Sequence, residues 1–166
     1  MLIEATKRKD LDFRALMEVY REGNEENGAV LYPDQPPERR IGLAEENFDH
    51  YLTEMFFPTP GARYLIWAED GRYVSALRLE RYEDGLLVTG LETRPDCRRR
   101  GYAARLLAAT LDRVRETGGG PVYSHVRKTN TASLRTHDAC GFTRFLDYAR
   151  ELDGTVTTRD CTLRAE

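Results

Sequence analysis

Apolar positions recur along this chain with two periods, and each change of period marks an element. Leu2–Thr6 alternates weakly and reads as a short opening strand. Leu11, Ala15, Leu16, Val19 and Tyr20 then fall at helical spacing, with Asp10 as the expected N-cap and Gly23 as the stop. The stretch Glu22–Pro37 is polar, carries Gly28, Pro33, Pro36 and Pro37, and reads as a loop. A second helix is predicted over Glu38–Phe56, ending before Pro58.

The period then drops to two. Arg63–Ala68 and Arg72–Leu79 are predicted as strands joined through Asp70-Gly71, a pair that favours tight hairpins, and Glu83-Asp84-Gly85 breaks the chain before a further strand, Leu86–Thr93. The clearest helix is Gly101–Glu116, where Ala103, Leu106, Leu107, Thr110, Leu111 and Val114 form one apolar stripe, and Gly118–Pro121 ends it. Val122–Val126 reads as a strand with Val122, Ser124 and Val126 on one face. Thr131–Cys140 reads as a short helix stopped by Gly141, and Phe142–Leu152 with Thr155–Leu163 as a closing hairpin about Asp153-Gly154. Strands, helix, strand, helix and hairpin in that order give a mixed α/β class, without internal repeats or linkers.

Composition narrows the class further. The 166 residues, 40% hydrophobic and 32% charged, suit one domain with a substantial core and exclude a disordered or low-complexity chain. No stretch approaches the roughly 18 to 20 apolar residues of a membrane span, and the start, MLIEATKRKD, has no apolar segment of a leader, so a cytoplasmic protein without a membrane partner is expected. Cys97, Cys140 and Cys161 form no C-x-x-C pair, and His50, His125 and His137 have no ligand spacing, so no metal site is expected. The net charge of −3 conceals a polarity. Met1–Pro60 holds 7 basic against 13 acidic residues, net −6, whereas Glu92–His137 holds 10 against 4, net +6. A basic middle suits an anionic ligand and an acidic front a cationic one, although solvated helix faces give the same counts.

Arg98, Arg99 and Arg100 stand immediately before the clearest helix, where peptide dipoles and free N–H groups already create positive potential. Cations are unfavourable there unless an anion occupies the site. Gly101 permits close approach to the backbone and Ala103 and Ala104 keep the first turn open, so Arg98–Arg105 has the makings of a phosphate cradle. Neither G-x-x-x-x-G-K-S/T nor a strand-borne G-x-G-x-x-G is present, which argues against nucleotide triphosphatases and dinucleotide dehydrogenases. A nucleic-acid role for the arginines is disfavoured by the acidic total and by their confinement to one helix start.

At this point the chain resembles the GNAT superfamily of acyl-CoA-dependent N-acyltransferases. In that family a strand runs into a helix through R/Q-x-x-G-x-G/A, supplied here by Arg98, Gly101 and Ala103. A second pattern, N-x-x-A/S-x-x-x-Y/H-x-x-x-G-F, is similar to Asn130, Ser133, His137, Gly141 and Phe142. The resemblance implies a central six- to seven-stranded, mostly antiparallel mixed sheet flanked by about four helices. It also implies a splay between the fourth and fifth strands that receives acyl-pantetheine. It implies an acetyl-CoA-dependent N-acetyltransferase acting on an amine, and relatives that often form homodimers. Cofactor contacts would fall to Thr93 and Arg94 through their backbone, to Arg98, Arg99, Arg100, Gly101, Tyr102 and Ala103 at the pyrophosphate, and to Asn130 and Ser133 beside pantetheine.

Acyl transfer requires a base for the ammonium, a donor for the carbonyl oxygen and an acid for the departing thiolate. Glu92, near the end of the strand bordering the splay, is the first candidate base, and it reads equally as an exposed strand carboxylate. His125, opposite a Val-Ser-Val face, is the weaker candidate. His137, at a position where many members carry tyrosine, is the candidate acid, either as imidazolium or by orienting a water. Glu22, Glu25, Glu26, Asp34 and Glu38, walled by Tyr32 and Tyr51, favour a cationic acceptor or form a solvated surface. An acyl-CoA-binding sensor without catalysis is the alternative.

Overall fold

In the computed structural model, which describes residues 1–166, the two hydrophobic periods become one sheet with an apolar core on each face. The main strands are β1 (Leu2–Ala5), β2 (Arg63–Glu69), β3 (Arg72–Tyr82), β4 (Gly85–Thr93), β5 (Val122–Arg127) and β6 (Thr143–Leu146). A short ribbon of β7 (Ala149–Arg150) and β8 (Val156–Thr157) precedes β9 (Asp160–Ala165). Seven strands lie in the order β1-β2-β3-β4-β5-β9-β6, antiparallel except for β4 with β5. The helices are α1 (Phe13–Val19), α2 (Arg21–Leu31), α3 (Pro37–Tyr51, prolonged by a π-helical turn over Leu52–Phe56), α4 (Tyr102–Glu116) and α5 (Thr131–Ala139).

Alternation along the strands decides which helix meets which face. Leu65, Leu77, Leu79 and Val88 meet the α4 stripe of Leu106, Leu107, Leu111 and Val114. Tyr64, Ile66 and Ala76 point the other way, onto Leu16, Val19 and Tyr20 with Leu52 and Phe56. These two faces become the two sides of the site.

The front of the chain departs from expectation. The N-cap of α1 is Asp12, which accepts from the Ala15 N–H at 3.0 Å, whereas Asp10 closes a separate 3-10 turn over Arg8–Asp10. Gly23 does not stop a helix, and the polar stretch expected to be a loop forms α2, so five α-helices flank the sheet rather than about four. Asn24 and Gly28 are the only buried residues of α2. A Cβ on Gly28 would stand 2.7 Å from the Arg40 carbonyl oxygen, so α2 packs on α3 through its backbone and needs no apolar stripe. The closing hairpin is also interrupted, because β6 pairs with β9 while β7 pairs with β8.

β4 and β5 pair only at Leu86–Val122, Leu87–Tyr123 and Val88–Ser124. Past Val88 the two strands diverge, β4 running on to Thr93 and β5 to Arg127. Just past the last pair β4 also carries an extra residue against β3, since Ala76 faces Glu92 while Arg78 faces Thr89. Gly90 absorbs this bulge with φ at 59°. The opening and the bulge together bring side chains from both faces to one gap.

Candidate active site

On the α4 side the gap meets bare backbone. The first bond of α4 runs from the Arg105 N–H to the Gly101 carbonyl at 3.0 Å, which leaves the N–H groups of Tyr102, Ala103 and Ala104 without an intrahelical acceptor. No side chain caps them. Gly101 at φ 79° and Arg99 at φ 60° turn the chain so that successive amides face a cleft of about 370 Å3 lined by Thr93, Arg99, Gly101, Tyr102 and Ala103. Arg99 and Arg100 are exposed and lack carboxylate partners. Arg98 also lines this cleft, with its Nη1 2.6 Å from Glu22 and its Nε donating to the Thr93 carbonyl at 3.2 Å, so it ties β4 to α2 at the cradle's edge. Asn130 accepts from the Ser133 N–H at 3.1 Å and is the N-cap of α5.

Beyond the cradle lies a second cleft of about 320 Å3 that passes between the diverging strands and includes Thr89, Gly90, His125, Ser133, His137 and Glu151 in its walls. Several polar atoms in these walls are buried without a hydrogen-bond partner: Thr89 Oγ1, both ring nitrogens of His125, Nε2 of His137 and Oδ1 of Asp160. Asp160 Oδ1 lies 3.8 Å from Arg127, within ion-pair reach though without a hydrogen bond, and buried polar atoms left without hydrogen bonds are uncommon in folded proteins, so their gathering around one gap makes it a candidate binding site. His125 is the first β5 residue past the last β4 pair; its Nδ1 lies 3.5 Å from Glu151 and its ring stands edge-on to Tyr82.

His137 is 1% exposed, packed edge-on against Phe142, with Nδ1 2.8 Å from the Ser133 carbonyl. A carbonyl only accepts, so Nδ1 carries the proton and Nε2 is left as an acceptor. Burial lowers the imidazole pKa, outweighing the Ser133 bond that raises it. Burial and the Ser133 bond thus favour the neutral ring with a lone pair on Nε2, which suits orienting a water better than donating as imidazolium.

The opposite face is made of side chains. Burial pushes the Glu92 carboxyl up, Glu22 and Glu26 of α2 push the same way, and Arg98 opposes them. The Tyr20 hydroxyl donates to the Gly90 carbonyl at 2.6 Å, and burial raises its phenol pKa to about 12. Arg94 donates its N–H to the Val74 carbonyl at 2.9 Å and pairs through its side chain with Glu18 at 3.4 Å and Asp96 at 2.8 Å, so its amide is not free for a thioester. Alternation then turns the Thr93 N–H away from β3, toward the side β5 has left. Cys97 is buried and its thiol pKa raised, first by burial, so it is no activated thiolate.

Sequence reasoning did not single out Arg78, Thr89, Glu151 or Asp160 for this site. Arg78 alone carried a signal, as an arginine at an inward position of an otherwise apolar strand, V-S-A-L-R-L.

The fold has counterparts among solved structures. The chain superposes on the PaiA N-acetyltransferase of Thermoplasma acidophilum, solved with coenzyme A, with a TM-score of 0.64 at 13% identity over 100% of this chain and 99% of that one. The ribosomal-protein-alanine N-acetyltransferase of Brucella melitensis gives 0.63 at 18%, covering 99% and 98%. The yncA protein of Salmonella typhimurium, solved with acetyl-CoA, gives 0.60 at 18%, covering 100% and 92%. At such identities the likeness is one of fold. No curated protein matches the sequence. The sequence profile of the acetyltransferase (GNAT) family matches residues 17–142, which span both the cradle and the gap, and the chain belongs to that family.

Proposed function

We propose that the protein transfers an acetyl group from acetyl-CoA to a primary amine by direct attack, in the cytoplasm, as a monomer or homodimer. The observation that carries this reading is the uncapped start of α4, flanked by unpaired Arg99 and Arg100 and opening into the gap between β4 and β5. The amides of Tyr102, Ala103 and Ala104 with Arg99 and Arg100 hold the pyrophosphate. The Asn130–Ser133 turn borders pantetheine, and the Thr93 N–H meets the thioester oxygen as it becomes an oxyanion. Glu92 removes the proton from the ammonium, whose approach Glu22 and Glu26 favour; the nitrogen attacks, the C–S bond breaks, and the second proton that the nitrogen must then lose passes to the departing thiolate through a water held by Nε2 of His137. His125, with two unpartnered nitrogens beside Glu151, is the second candidate base.

Calorimetric titration with acetyl-CoA and CoA, followed by an amine panel, tests the reading. One-to-one micromolar binding with turnover is expected. Absence of binding overturns it, and binding without turnover on any amine makes the protein an acyl-CoA sensor.

A further inference from the structure

The acceptor face contains one guanidinium without an ion-pair partner. Arg94 is paired with Glu18 and Arg98 with Glu22, but Arg78, on the same side of the sheet, has no carboxylate within 4.0 Å, and its Nε is buried without a hydrogen-bond partner. Glu80, next along the same face, is itself buried and lies outside ion-pair distance. The guanidinium is instead surrounded by rings: Phe48 at 5.6 Å, Tyr51 at 5.3 Å and Phe56 at 6.0 Å from their centroids. Cation–π contacts offset part of the lost hydration, yet they leave the N–H donors unsatisfied.

Its position relates it to the gap. An added Cβ on Gly90 would stand 3.0 Å from Arg78 Nη2, so the absence of a side chain at the bulge is what lets the guanidinium pack against Gly90, a residue of the cleft wall. Glu92 sits one register pair further along the same face, and alternate strand residues are about 7 Å apart. A carboxylate matches the planar fork of an arginine through two parallel bonds, whereas a second ammonium would be repelled.

We propose, on the basis of the acetyl-transfer reading above, that Arg78 binds an anionic group of the acceptor, so that the substrate class is a zwitterion of the amino-acid type. Its ammonium is placed between Glu92 and Glu22, and its carboxylate is taken by Arg78 a few bonds away. The acidic front and the buried arginine then recognise opposite ends of one molecule.

The test compares lysine, methionine and glutamate with their carboxamides and with the corresponding decarboxylated amines, in the wild-type protein and in Arg78→Met and Arg78→Lys. The wild type is expected to favour the acids by about tenfold or more in kcat/KM, mainly through KM. Arg78→Met brings that ratio close to one and Arg78→Lys restores part of it, while acetyl-CoA affinity holds in both. Comparing ratios between proteins cancels the differing basicity of the amines. Equal or better use of the amides by the wild type overturns the proposal, even if Arg78→Met does not fold, and so does an unchanged ratio in a folded variant. Acetyl-CoA binding without acetylation of any panel member overturns the zwitterion class alone. Failure to bind acetyl-CoA overturns the acetyl-transfer reading itself.

Discussion

The two sides of the gap are built by opposite means. On the α4 side the contacts are backbone amides that the start of any helix offers, and the sequence needs only to leave them uncapped, place Gly101 at φ 79° and keep the first turn small. On the other side the contacts are side chains from α2, β3, β4, β5 and the β7–β8 ribbon, and each must be held by neighbours from elsewhere in the chain. A site made of backbone can serve a constant ligand such as CoA with a short local motif. A site made of side chains can be re-cut for each acceptor, and Arg78, His125 and Glu92 all stand on that side.

The sharpest break between the sides is expected at Glu92. Glu92→Gln should lower kcat/KM by about 100-fold, within the range general base catalysis contributes, and leave acetyl-CoA affinity unchanged. Because the carboxyl is raised, its protonation as pH falls should produce an acid limb above the ordinary carboxylate range in the wild type and none in the variant. Profiles of kcat/KM against pH decide the matter. If the limb and the rate both survive in Glu92→Gln and disappear in His125→Asn, the base is on β5 and Glu92 only attracts the amine.

A smaller and opposite effect is expected on the other side. Gly101→Val meets no atom within 4 Å, so the free protein has room for it, but the residue must hold a left-handed conformation and its branches stand over the amides. Strain of about 1–2 kcal/mol in that conformation, with the blocked approach, should weaken acetyl-CoA binding by about tenfold or more. Calorimetry that finds unchanged affinity in a folded variant would remove the cradle from the mechanism.

The same contrast explains what was legible. Gly101–Glu116 was readable because its apolar stripe, its glycine and its arginines are contiguous, and the hairpin at Asp70-Gly71 because turn chemistry is local. α2 was not, because it is buried through Gly28 and Asn24 and gives no apolar period, and with it went the link from Glu22 to Arg98. The spacing places Arg98 at the cradle, but it fixes where the backbone passes and not that the side chain also reaches Glu22. Arg78 and Thr89 face each other across β3 and β4 only after the bulge at Gly90 sets the register, which no single segment encodes.

His137 sits where the two sides meet, and the smallest of these effects tests its charge. Its folded pKa is below the ordinary imidazole value, so near pH 7 both folded and unfolded chains carry it neutral and it adds no pH dependence. As pH falls through the ordinary range near 6.5 the unfolded chain binds the proton first, and the folded state loses up to about 1.4 kcal/mol per pH unit until the lowered pKa is reached. Urea unfolding of the wild type and His137→Gln at pH 7 and pH 5 should therefore show the wild-type advantage shrinking at the lower pH. A gap that stays constant or widens would mean that the buried imidazole accepts a proton readily, which would return it to the role of a charged acid for the thiolate.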